Sequence, residues 1–191
     1  IYKYEIIKEI YTLCSLLTNK YSVLICNNNK KLEIPYIIGK PFYESSKLLG
    51  INMVLTHSSV DLWNWNLINN KEKFSLENIQ SKYLMSQNTK ENETENWFYM
   101  IMTGIEGECG NMIFNMNNIY NYIDNDNKLK KNNFINIYNN LQIISDKLEK
   151  QIEIINRIYD NCNPYIFYYN IRKYLWGSDK YEKGLIIKDF N

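Results

Sequence analysis

The chain has 191 residues, enough for one good domain or two small ones. Its 22 basic and 21 acidic side chains leave a net charge of +1, so no basic field attracts nucleic acid and no acidic field repels it. No run of 18 apolar residues could span a membrane and no signal peptide is visible.

Only seven Gly and three Pro interrupt a chain rich in Ile, Leu, Lys, Asn and Tyr, which predicts mostly helix. Cys14, Cys26, Cys109 and Cys162 form no C-x-x-C pair and no zinc spacing. They read as free thiols of a reducing compartment, and the expected location is cytoplasmic.

Taken in order, residues 2–18 place Ile6, Ile10, Leu13, Cys14 and Leu17 on one helical stripe. Val23-Leu24-Ile25 can continue that helix or begin an extended piece. Asn27 to Lys31 is a polar loop. Ile34 is extended, because a residue before proline avoids the helical region. Pro41 starts a short helix and Gly50 ends it. Residues 52–65 read as helical or irregular, with Trp63 and Trp65 turned inward. The polar run Gln87 to Glu95 is the best candidate for a linker.

A helix is predicted from about Asn96, burying Trp97, Phe98, Ile101, Ile105 and Cys109, with Glu95 suited to its N-terminus. Gly104, Gly107 and Gly110 weaken it by up to ~1 kcal/mol each, and mark either a close approach or tight packing. Met112 to Ile123 forms another helical piece, and Asp124 to Asn127 a turn. A long helix over 132–161 carries the apolar face Phe134, Ile137, Tyr138, Leu141, Ile144, Leu148, Ile152, Ile155, Ile158 and Tyr159.

The next helix is capped by Asn163, opened by Pro164 and closed by Gly177. Tyr168 and Arg172 are four apart and share a face, with Phe167 about 100° round from Tyr168. An arginine among rings is a receptor for a planar ligand with a carboxylate: the guanidinium takes the carboxylate bidentately and the rings take the flat body. The alternative is a core helix whose Arg172 snorkels to water.

Residues 163–177 resemble the Asn/Asp-Pro-x-x-Phe-(Phe/Tyr)-x-x-x-Arg-x-(Tyr/Phe)-Leu-x-Gly segment of the indoleamine 2,3-dioxygenase family. A second stretch resembles the same family at Leu49, Gly50, Ile51, Leu55, His57, Ser58, Leu62, Asn64 and Trp65. Phe74 to Ile79 is similar to its short hydrophobic piece. After Gly177 the likeness thins: Gly184-Leu185 matches, whereas Ile187-Lys188-Asp189 replaces Tyr-Glu-Gly.

The resemblance implies an all-α protein, with a smaller N-terminal helical domain and linker over 1–90 and the first half of a larger helical haem domain over 91–191. It implies a haem b dioxygenase that inserts O₂ across the indole C2–C3 bond of L-tryptophan or a related indoleamine, giving N-formylkynurenine, with no nucleic acid or membrane partner. By match to the family motif, Arg172 binds the substrate carboxylate, Phe167 and Tyr168 pack on the substrate, and Phe98 stacks on the indole. His57, Val60 and Asp61 fall where the smaller domain lines the indole pocket. Asp61 stands where an apolar residue is usual; a carboxylate in a dry pocket costs several kcal/mol or takes a proton, so it either points away or alters specificity. Met102 falls where many members carry a small hydroxyl residue near O₂, with Thr103 beside it.

No metal ligand is expected in this chain. The proximal histidine of the family lies beyond the Gly-Leu segment, His57 belongs to the distal side, and the fragment alone is expected to be inactive. A second reading is a non-catalytic haem-binding or helical interaction protein of the same descent, and a third a plain helical scaffold.

Overall fold

In the computed structural model, residues 2–25, 32–123, 133–175 and 185–189 are described. The expected loop at 27–31, the turn at 124–127, the closing Gly177, the Gly184 match and Cys26 lie outside the described residues. The chain is mostly helical, with two two-stranded sheets as its extended structure among those residues. It divides into two units: Ile1–Met100 with Asn161–Asn191, and Ile101–Asp160.

In the first unit, α1 (Tyr2–Ile25) carries the chain through Val23-Leu24-Ile25 as helix. It does not bury the stripe its periodicity suggests. Tyr11, Thr12, Cys14, Ser15, Leu16, Thr18 and Ser22 are inside, while Ile6, Ile10, Leu13 and Leu17 are exposed. Tyr11 decides the orientation. Its ring meets Phe42 edge-on at 5.2 Å and Trp63 at 6.0 Å. Its hydroxyl lies 2.8 Å from the carbonyl oxygens of both Asn52 and Val54. The inward serines need no outside partner, because Ser15 and Ser22 donate to carbonyls three residues back in their own helix.

Strand β1 (Leu32–Ile34) is extended before Pro35, as read from the sequence. The following helix, α2 (Tyr36–Leu49), corrects one expectation: Pro41 lies inside it, not at its start. Pro35 sets the entry, and its carbonyl accepts the Ile38 and Gly39 amides at 3.0 and 2.9 Å, so winding begins before Pro41 is reached. Gly50 ends the helix at φ 70°, the left-handed conformation a glycine adopts without strain. Gly39 is buried against a later strand; a Cβ there would stand 2.6 Å from Ile187 Cγ2.

A π-type turn, Ser58–Leu62, leads to β2 (Trp65–Leu67), which pairs antiparallel with β3 (Ile79–Ser81) after the 3-10 turn Leu76–Asn78. Trp63 and Trp65 are both half-buried, and Trp65 packs edge-on to Phe74 at 5.2 Å. Buried Asn64 acts as a strand edge: its amide donates to the Tyr83 carbonyl and accepts the Tyr83 N–H, each at 2.9 Å.

Helix α3 (Thr89–Asn121) starts well before Asn96, so most of the presumed linker at 87–95 is helix. Asn88 is the reason. Its side chain accepts the Glu91 N–H at 3.0 Å and its carbonyl the Asn92 N–H at 2.8 Å, a cap that polar composition conceals. Gly104, Gly107 and Gly110 do not break the helix, which takes in the separate piece expected over 112–123.

The second unit holds the later turns of α3, α4 (Phe134–Asn156) and a 3-10 turn, Arg157–Asp160. Between the helices Lys147 Nζ meets Glu108 Oε2 at 2.6 Å, and Gln151 Nε2 lies 3.0 Å from Cys109 Sγ. The long apolar face expected on α4 is largely exposed: Phe134, Tyr138, Leu141, Leu148, Ile152, Ile155 and Tyr159 face solvent and Ile144 is buried. Nothing in this unit's described elements covers that face.

Back in the first unit, the short α5 (Pro164–Ile166) passes into a π-type turn, Phe167–Ile171, and a 3-10 turn, Arg172–Tyr174. One continuous helix was expected there; the winding changes twice instead. Strand β4 (Leu185–Ile187) pairs parallel with β1, Leu32 opposite Leu185 and Ile34 opposite Ile187.

Candidate functional site

Asn163 caps α5 as its sequence suggests. Its side-chain oxygen accepts the Tyr165 and Ile166 amides at 3.0 and 3.1 Å, and Pro164 follows where a missing N–H costs nothing. The chain then widens. The Arg172 N–H bonds to the Phe167 carbonyl, an i→i+5 closure that brings residues five apart onto one side of the turn. In an α-helix Phe167 and Arg172 would diverge.

Three pairs of expected site residues come together in the first unit. Phe98 of α3 and Phe167 stack at 4.4 Å between centroids, tilted by 38°, and both are half-buried. Arg172 Cζ lies 5.2 Å from the Tyr168 ring centre. Arg172 is exposed, and among the described residues no carboxylate is ion-paired with it. The third pair stands apart in its contacts: His57 Nδ1 meets Asp61 Oδ2 at 2.8 Å across the π-type turn.

His57 is exposed, whereas Asp61 and Val60 are 3% and 7% exposed. Asp61 therefore points inward with an imidazole as partner. It also reaches the surroundings of Tyr99, the residue after Phe98. Burial pushes the Tyr99 phenol well above its ordinary range, and the nearby Glu95 and Asp61 carboxylates push the same way. Met102 and Thr103 belong to the second unit; on α3, Met102 is half-buried and Thr103 is 3% exposed.

Residues that sequence reasoning passed over hold these pairs in place. Glu95, fully buried, accepts the Met85 N–H at 2.8 Å, the Ser86 N–H at 2.7 Å and the Tyr99 hydroxyl at 2.8 Å. One turn earlier, Glu91 Oε1 accepts from Asn170 Nδ2 at 2.7 Å, inside the Phe167–Ile171 turn. Ile171 and Tyr174 are buried, and Asn19 of α1 donates to the Tyr174 carbonyl. Burial raises the Tyr174 phenol, with Glu91 and Glu95 adding to it. Glu91, Glu95 and Tyr99 do recur every four residues on one helical face, but the two glutamates lie within a polar run that reads as a linker.

Among the described residues, no group of three His, Cys, Asp or Glu side chains is placed to hold a metal ion. Among them also, no helix is long and apolar enough to cross a membrane.

A family model described as Indoleamine 2,3-dioxygenase matches residues 3–188. The chain is similar to an indoleamine 2,3-dioxygenase of Aspergillus nanangensis, 27% identical, with 90% of this chain and 40% of that protein covered. It is 22% identical to the indoleamine 2,3-dioxygenase of Saccharomyces cerevisiae over 90% of this chain and 37% of that protein. With one of Aspergillus candidus it shares 25% over 88% of this chain and 40% of that protein. The chain spans about two fifths of the length of the curated relatives it matches.

Proposed function

The chain belongs to the indoleamine 2,3-dioxygenase family, and on that premise we propose that it is the distal-side part of a haem-dependent dioxygenase acting on tryptophan or a related indoleamine. The observation that carries the reading is the pairing of Phe98 with Phe167 at a widened turn that presents an exposed Arg172, ion-paired with no carboxylate among the described residues. Residues 1–90 are then the smaller domain and 91–191 the opening of the larger one, in a cytoplasmic protein.

The aromatic wall fits one side of a haem: Phe98, Phe167 and Tyr168 are flat and of the chemistry that borders a porphyrin. By match to the family motif the imidazole present, His57, belongs to the distal side, and the iron's protein ligand is assigned to the part of the family's chain beyond the matched residues. Haem, when bound, supplies the iron that activates O₂ for insertion across the indole C2–C3 bond.

The chain's own residues bind and orient. Arg172 takes the substrate carboxylate in a bidentate, charge-assisted pair, while the Tyr168 ring beneath it steadies the guanidinium. Phe98 and Phe167 hold the indole flat and keep water from it. Val60 adds apolar wall from the Ser58–Leu62 turn, and His57 closes that side. Asp61, turned to His57, has a hydrogen-bonding partner rather than standing bare in an apolar slot. Met102 and Thr103 are assigned to the O₂ side by match to the family motif alone; with Met102 where a hydroxyl is usual, the chemistry is tuned rather than lost.

In the full-length, haem-loaded protein, Arg172→Ala weakens L-tryptophan binding by roughly ten- to a hundredfold, as expected from about 1.5–3 kcal/mol for such a pair. Tryptamine, which lacks the carboxylate, loses little. Equal loss for both ligands, or none for either, rejects the assignment.

A further inference from the structure

We propose that Glu91 and Asn170 form a positioning pair that sets the aim of Arg172, and so determine preference for ligands bearing a carboxylate. The inference rests on the reading of Arg172 as the carboxylate clamp. It adds two residues that touch no ligand.

The geometry is specific. Asn170 sits within the i→i+5 turn, between Tyr168 and Arg172, and its amide donates to Glu91 Oε1 at 2.7 Å. A widened turn is a poor holder of its own shape, because its hydrogen bonds alone do not favour it over α winding. Something outside the turn must fix its rotation. Two side-chain contacts do so from different elements. Glu91 grips Asn170 from the first turn of α3, and Asn19 of α1 reaches the Tyr174 carbonyl just past Arg172.

Glu91 is itself held. Its N–H is capped by Asn88, and Glu95, one turn on, is pinned by the Met85 and Ser86 amides. Phe98 and Phe167 span the same two elements, α3 and the turn. A rotation of the turn that released Asn170 would therefore swing Arg172 while the ring pair resisted it. The effect on binding falls on the carboxylate end, not on the indole end.

The test uses the full-length, haem-loaded protein and equilibrium titrations with L-tryptophan and tryptamine, followed by the haem absorbance. Asn170→Asp sets a carboxylate against Glu91; it weakens L-tryptophan about tenfold and leaves tryptamine within twofold. Adding Glu91→Gln rebuilds the hydrogen bond with donor and acceptor exchanged, and restores L-tryptophan binding to within twofold of the parent. Asn170→Leu, which removes the donor without adding charge, repeats the selective loss should Asn170→Asp fail to fold.

Unchanged discrimination between the ligands in Asn170→Asp and Asn170→Leu, or equal loss of both ligands with no rescue in the double variant, overturns the pair's role. Arg172→Ala separates the two claims. If it abolishes discrimination while the Asn170 variants keep it, the clamp stands and the positioning fails; if it leaves discrimination intact, both fall together.

Discussion

The opening turns of α3 read as polar linker and the length of α4 as an apolar stripe, yet it is the first that is anchored and the second that is largely bare. Around Glu91, Glu95 and Tyr99 each polar group named above has a partner, and Thr94, Glu95, Tyr99 and Met100 are inside. Along α4, Phe134, Tyr138, Leu141 and Ile152 keep more than half of their surface in water. An apolar period tells which residues want cover and not whether cover arrives. In the first region the anchoring groups are polar: a carboxylate receiving two backbone amides fixes a loop to a helix more specifically than any Ile or Leu contact nearby.

The sharpest way to break the contrast is Glu95→Ala. It strands the Met85 and Ser86 amides and the Tyr99 hydroxyl in a buried place. The expected loss is about 3–5 kcal/mol, read as a fall in the urea midpoint. A midpoint shift under 1 kcal/mol would mean the braced region is no more ordered than α4.

Gly110→Ala probes the other side. Nothing lies within 4 Å of the Cβ it would add, and Gly110 is exposed within a helix. The substitution should stabilise by up to ~1 kcal/mol, through helix propensity and a less free unfolded chain. A thermal midpoint that drops would show that this glycine meets a neighbour after all.

The smallest effect is a pH dependence. Burial alone would raise the Glu9 carboxyl, but hydrogen bonds from Lys82 Nζ and Tyr83 Oη, each at 2.6 Å, outweigh it and hold the group below its ordinary value. A depressed carboxyl contributes stability that is whole above its unfolded value and is lost as pH falls through the folded one. Lys82→Met should flatten stability against pH on the acid side only, seen in urea midpoints taken down the acid range. Because the pair is partly in water, the change is modest.

Local chemistry was the legible part of this fold. The Asn163 cap, the Gly50 stop and the extended Ile34 each depend on one residue and its neighbour, and the sequence displays them. The α1 face was not legible, since it follows from Tyr11 reaching Asn52 and Val54 far along the chain. The start of α3 was hidden by composition: Asn88 and Glu91 look like linker residues until the cap is drawn. The widened turn at Phe167–Ile171 differs from α winding by one hydrogen-bond step, which no residue type there announces. For the candidate site, the motif residues could be named from sequence, but Glu91 and Asn170 could not, because their contact joins distant parts of the chain, and Glu95 was hidden in a run that reads as a linker.

The parallel pairing of Leu32–Ile34 with Leu185–Ile187 has a consequence for how the molecule is made. The two strands leave the ribosome about 150 residues apart, which at ordinary elongation is roughly 8 to 30 s. Through that interval the earlier strand has no mate, and the recess at Gly39 waits empty for Ile187. A nascent chain in that condition offers a bare three-residue strand edge to its neighbours until the later strand arrives.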